Sequence, residues 1–143
     1  MDKHKRSRYE QGQGLVEFAA AALLLFTLVA GMLDLGRALF VLIALRDAAQ
    51  EGALYGSLNP SDFGSIETRV RNTTDHPVDM SDKEEIDVNI TLLGSPCAGN
   101  GVQVEVVYPR FTITTPLLGA IVGGQSIPIR AKVTGTIVRP PCK

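Results

Sequence analysis

The strongest candidates for functional residues lie at the start of a long apolar stretch. The chain there reads GQGLVEF over residues 12–18. Glu17 is the only charged residue within 15–33. A charged carboxylate in so apolar a segment costs free energy if the segment enters a membrane. Such a residue is therefore usually paired with another group or functional. If the chain were cut after Gly12, the new α-amine of Gln13 would lie one helical turn from Glu17. After such a cut, the natural partner of Glu17 would be the Gln13 amine of a neighbouring subunit, so that the charge would be neutralised only on assembly.

A second pair of charged residues follows the apolar stretch. Asp34 and Arg37 are three positions apart on a predicted helix and can form an ion pair. About 20 residues cross the hydrocarbon core of a bilayer, so a span that begins near Gly14 ends near Leu33. The pair would thus mark the outer boundary of the membrane. It is either a plain interfacial ion pair or a contact with another subunit.

A single long helix must position these residues. Residues 14 to about 55 contain no proline and are rich in alanine and leucine, which predicts a helix that ends near Gly56. Residues 1–12 are polar and basic, and we expect them to be an unstructured leader. The positive-inside rule keeps this leader in the cytoplasm, so that the span lies at about 14–33 and the rest of the chain is extracytoplasmic.

The second half of this helix carries small residues at every fourth position: Ala44, Ala48, Gly52 and Gly56. Such a stripe lets another backbone approach closely. It serves either the protein's own sheet or a second helix. Around the same helix, apolar residues (Leu39, Leu42 and Ile43) alternate with a polar side (Arg46, Asp47, Gln50 and Glu51).

The remainder, 58–143, is predicted to be a small α+β head. Ser61 is a candidate N-cap for a short helix over about 61–72. Alternating apolar residues in the last third predict three strands, so that we expect a three- or four-stranded antiparallel sheet. Residues 111–124 form an apolar connection, which we expect to be an edge strand or a hydrophobic turn. The acidic stretch 75–87 is predicted to be a solvated loop, because it lacks the glycine-centred loop of an EF-hand calcium site.

Two cysteines test this arrangement. Cys97 follows the first predicted strand and Cys142 follows the third. In an antiparallel meander these two strands run the same way, so both cysteines fall at one end of the sheet. We therefore predict a Cys97–Cys142 disulfide, which an extracytoplasmic compartment permits. The alternative is two unpaired thiols.

The composition argues against several classes of protein. The net charge of −1 and the absence of tryptophan speak against a nucleic-acid partner. Two cysteines and two histidines are too few for a zinc site with four protein ligands. Cys97 with His76 is the one obvious nucleophile–base pair, and a disulfide cysteine is a poor nucleophile. We expect no enzyme activity, no metal and no cofactor.

The segments GQGLVEFA (12–19), LDLGRALF (33–40) and ALRDAAQEGALYGS (44–57) resemble the TadE-like family of minor pilins, or pseudopilins, of Flp-type tight-adherence pili. These pilins belong to the wider type IV pilin class. Residues 102–139 are also similar to that family, more weakly, and 58–101 contribute nothing to the resemblance.

The resemblance implies cleavage after Gly12 by a prepilin peptidase, next to an acid–aromatic pair at Glu17 and Phe18. Gly14 is the alternative cleavage residue, although that would leave Glu17 at the third position instead of the fifth. Asp34 and Arg37 match a D-x-G-R segment where the helix leaves the membrane. The implied partners are the peptidase, other pilins and minor pilins of the same pilus, and lipids of the cytoplasmic membrane.

Together these observations predict an α+β protein with three parts: a leader (1–12), a long N-terminal helix (13–57) and a head (58–143). The helix would pack through its outer half on the antiparallel sheet. The predicted function is that of a processed prepilin that assists or joins an adhesive pilus. Two alternatives remain: an uncleaved, membrane-anchored extracytoplasmic binding module, and a protein secreted after cleavage near Ala30.

Overall fold

The computed structural model describes the backbone of residues 3–142 and the side chains of residues 12–115 and 119–142. A long helix leads into a small α+β head, as predicted. The elements in chain order are α1 (Lys3–Leu58), α2 (Phe63–Arg71), β1 (Asp87–Leu93), β2 (Gly101–Thr112), α3 (Pro116–Val122) and β3 (Ser126–Thr136).

Helix α1 begins earlier than predicted. Its backbone is helical from Lys3, so the expectation of an unstructured leader was wrong. The leader is built largely of lysine, arginine, glutamate and glutamine, which favour helices, and it contains no proline. At its other end α1 continues past Gly56 to Leu58 and stops before Pro60, whose ring does not fit a helix interior.

The two halves of α1 have different environments. No residue over 12–33 is buried by the protein, and apolar side chains such as Phe18 and Phe26 are 75% and 71% exposed. From Asp34 onward one face of the helix is buried against the head. The first half is therefore an apolar rod that extends from the head, and only the second half belongs to the core.

The small residues of α1 face the protein's own head. A Cβ atom at Gly52 would lie 2.5 Å from Cγ2 of Val70, and one at Gly56 would lie 3.1 Å from Cγ2 of Val102. The stripe therefore lets α1 lie close to α2 and the sheet. By contrast, the apolar residues Leu39, Leu42 and Ile43 remain exposed on the other side of the helix.

The sheet is a three-stranded antiparallel meander in the order β1-β2-β3. Alternate residues of β2 (Val102, Val104 and Val106) are fully buried beneath α1, as their period of two predicts. The connection 111–124 was predicted to be an edge strand or a turn, and this was wrong. Its first residues extend β2 and the next ones form α3, because the proline at position 116 begins a helix readily but interrupts a strand.

Helix α2 packs against the packed half of α1. It buries Ile66 and Val70, and its N-cap is Asp62, whose carboxylate accepts a hydrogen bond from the Ser65 N–H at 3.1 Å. The predicted N-cap, Ser61, lies one residue too early. The acidic stretch after α2 is a loop, as predicted, and Met80 anchors it in the core.

A disulfide joins Cys97 to Cys142, as predicted. It ties the turn between β1 and β2 to the segment that follows β3. The Ala98 N–H adds a hydrogen bond of 2.7 Å to the carbonyl oxygen of Pro140. This end of the sheet is therefore held both covalently and by hydrogen bonds.

Candidate functional site

The predicted processing segment lies on the exposed half of α1. Gly12, Gln13, Glu17 and Phe18 are all exposed, and a Cβ atom at Gly12 or Gly14 would meet no atom within 4 Å. Neither glycine is therefore required for packing of this chain on itself. The segment is open to another molecule on every side that the structure describes.

Glu17 lies one helical turn from Gln13 on the same side of α1. Among the described side chains, none forms a hydrogen bond or an ion pair with the Glu17 carboxylate. Thr27, another polar residue of this segment, does have a partner on the helix itself. Its hydroxyl donates a hydrogen bond to the carbonyl oxygen of Leu23 at 2.8 Å. The helix backbone offers no free N–H to a carboxylate at position 17, so the predicted partner of Glu17 is a group from another molecule.

The helix has the length and composition that membrane crossing requires. The stretch Gly12–Leu58 contains an apolar window long enough for a span, and none of that window is buried within the protein. A core helix of a soluble protein would be mostly covered, which this one is not. The predicted span of about 14–33 lies in the exposed half.

Asp34 ends the exposed half and holds the head onto the helix. Its side chain is only 7% exposed. Its two oxygens accept hydrogen bonds from the backbone N–H groups of Thr114, at 3.2 Å, and Thr115, at 2.7 Å. These threonines join β2 to α3, so one carboxylate attaches that junction to α1.

Hydrogen bonding sets the charge state of Asp34. The polar groups of Thr115, whose N–H donates to Asp34 at 2.7 Å, and then those of Thr114 lower the pKa of Asp34 from 3.8 to about 2. Burial acts in the opposite direction and is outweighed. Asp34 is therefore a stable anion at neutral pH.

Arg37 completes this group of contacts. Its Nη1 atom lies 3.5 Å from Oδ1 of Asp34 and donates to Oγ1 of Thr114 at 2.7 Å. Its guanidinium lies over the ring of Phe111, 5.4 Å from the centroid. The ion pair inferred from the sequence is thus present, but most of its partners belong to the end of β2. We name Asp34, Arg37, Thr114 and Thr115 the boundary clamp.

Sequence reasoning missed the intrachain role of the boundary clamp. Thr114 and Thr115 are separated from Asp34 by 80 and 81 positions, and nothing local points from one to the other. One signal was available in the sequence: two threonines stand directly before a proline, within an otherwise apolar run. This pattern is typical of the start of a helix. The predicted contact of Asp34 and Arg37 with other subunits remains a prediction.

Comparison with known proteins agrees with the resemblance seen in the sequence. Residues 12–54 match the family model described as TadE-like protein, a pilus-associated structural family. The match covers the predicted processing segment, the exposed half of α1, the charged pair and most of the packed half. No curated protein and no solved structure gave a significant match. The TadE-like segment and the single N-terminal apolar helix together fit a membrane-anchored protein associated with tight-adherence pili.

Proposed function

We propose that this protein is a prepilin-like subunit that a prepilin peptidase cleaves after Gly12 and that then takes part in assembly of a tight-adherence pilus. The observation that carries the proposal is the division of α1 into an exposed apolar half and a packed half, within a segment that matches the TadE-like family. The exposed apolar half of α1 would be the stalk of the subunit. It needs apolar surroundings, which lipid would supply before assembly and other helices would supply after it.

The first step would be removal of the leader. Gly12 lies at the junction between the basic leader and the apolar segment, with open space around its Cα. Cleavage there gives Gln13 a new ammonium group four residues before Glu17. In this scheme the head lies on the extracytoplasmic side of the membrane and the leader stays in the cytoplasm.

The second step would be lateral association. The exposed apolar surface continues beyond the predicted span to Phe40 and Ile43, which are 67% and 55% exposed. A neighbouring helix could cover this surface without disturbing the face that holds the head. Pairing of Glu17 with the Gln13 amine of a neighbour would then fix the axial position of the two helices, because an unpaired carboxylate in an apolar bundle is costly.

The test of the first step is co-expression of the full chain with a prepilin peptidase in bacterial membranes, read out by intact mass. The native chain should lose residues 1–12, Gly12→Leu should keep them, and Gly14→Leu should still be cut after Gly12. Retention of the leader by the native chain would favour an uncleaved, membrane-anchored binding module. Loss of residues 1–14 would place the cut at Gly14.

A further inference from the structure

The loop that contains α3 is an uncharged projection from the end of the sheet. Residues 111–129 contain no aspartate, glutamate, lysine or arginine. Ile121 and Val122 are 76% and 56% exposed, although they lie in a helix of a folded head. Nothing in the described part of the chain covers them.

The boundary clamp places this loop at the outer end of the predicted span. Thr114 and Thr115 hydrogen-bond to Asp34, and α3 begins at the next residue. A cleft at this junction is lined by the two threonines and, on α1, by residues that include Leu23, Phe26 and Ala30. Leu23 lies about 16 Å before Asp34 along the helix axis. The junction therefore adjoins a part of α1 that lies well inside the predicted span.

Part of the loop's backbone is hydrogen-bonded within the loop. The Ile113 N–H donates to the carbonyl oxygen of Gln125 at 2.8 Å and closes its base. Helix α3 supplies its own hydrogen bonds, and the Gly124 N–H donates to the carbonyl oxygen of Gly119 at 2.9 Å. Gly123, at a φ of 86°, ends the helix in the left-handed conformation. Internal pairing of this kind favours contact with lipid, because lipid offers few hydrogen-bond partners to a bare backbone.

We infer that the α3 loop inserts into the outer leaflet of the membrane beside α1 and anchors the head to the lipid surface before assembly. This inference rests on the proposed membrane anchoring of α1. The occupant is lipid because the loop is continuous with the predicted span through the boundary clamp. The loop is also uncharged, and part of its backbone is hydrogen-bonded internally. The head would then be held at two points, the α1 span and the α3 loop.

Single tryptophan residues test the inference, because the native chain contains none. Four full-length variants are reconstituted in vesicles of phosphatidylethanolamine and phosphatidylglycerol: Ile121→Trp, Val122→Trp, Leu25→Trp and Val138→Trp. Leu25 lies in the predicted span. Val138 is 62% exposed and is the matched control, since it follows β3 at the end of the sheet that carries the disulfide. Tryptophan itself favours membrane interfaces, and this bias is shared by the Val138 control.

The inference predicts that tryptophan at 121 or 122 has a blue-shifted emission and loses intensity to lipids brominated near the headgroup. It should also be shielded from acrylamide relative to tryptophan at 138. The inference is overturned if positions 121 and 122 respond to acrylamide as 138 does while position 25 is still quenched by lipid brominated near the ends of its acyl chains. Shielding of 121 that requires pilin partners and is insensitive to brominated lipid would also overturn it, in favour of a protein contact. If position 25 itself escapes lipid quenching, the membrane anchoring in the proposed function fails as well.

Discussion

Gly135 of β3 lies where the sheet comes closest to α1, and its replacement by alanine tests the packing of the head. A Cβ atom at position 135 would lie 2.8 Å from the backbone carbonyl oxygen of Ala53 and 3.3 Å from the carbonyl carbon. Both atoms belong to the helix backbone, so rotation of a side chain does not relieve the contact. Gly135→Ala therefore forces α1 and β3 apart.

The expected cost follows from this geometry. Overpacking of a well-packed core costs about 1–3 kcal/mol, and we take the upper end because Ala53, which the new Cβ atom would meet, is only 2% exposed. Replacing a strand glycine returns about 0.5–1 kcal/mol of conformational free energy. The net loss of unfolding free energy is then about 2 kcal/mol, which lowers the melting temperature of a domain of this size by about 8–16 °C.

Hydrogen exchange of the β2 amides in the full-length, micelle-bound protein measures this loss. Gly64→Ala is the matched control, because Gly64 is an exposed residue of α2 whose added Cβ would meet no atom within 4 Å. The control should be as stable as the native protein or gain up to about 1 kcal/mol. Native-like protection in Gly135→Ala would refute the close approach of β3 to α1, and so would an equal loss in both variants.

Three further predictions concern the charges and the disulfide. Because the pKa of Asp34 is about 2 and therefore below its usual 3.8, its stabilisation of the head is complete above about pH 4 and is lost as the pH falls through 2. Acid titration of head stability should show this loss in the native protein and not in Asp34→Asn. Replacing Cys97 and Cys142 by serine opens a loop with a sequence separation of 45, and chemical denaturation should show a loss of about 4 kcal/mol in the chain-entropy model; an unchanged midpoint would contradict that model here. Glu17→Gln preserves shape and removes charge, so co-purification with partner pilins should fall while head stability changes by less than about 0.5 kcal/mol; undiminished co-purification would exclude the pairing with Gln13.

Local patterns predicted the main elements of this fold. The period of two in Val102, Val104 and Val106 indicated the central strand, and the lack of proline over 14–55 indicated one long helix. The disulfide followed from the strand order alone. These features depend on residues near each other in sequence or on simple topology, which is why they could be predicted.

Features that depend on distant contacts could not be predicted in the same way. Ser61 and Asp62 are both good N-caps by residue type, and only the packing of Ile66 and Val70 selects the second. The role of Asp34 required knowledge that the end of β2 returns to the middle of α1. Similarly, the apolar run after β2 could form a strand or a helix by composition, and α3 forms where the boundary clamp holds its start.

The central claim is that α1 is the stalk of a processed pilin. The most direct test is the intact mass and N-terminal sequence of the protein isolated from native membranes and sheared pili. The account predicts a mature chain that begins at Gln13. A mature chain that retains the leader, or that begins after Ala30, would contradict it.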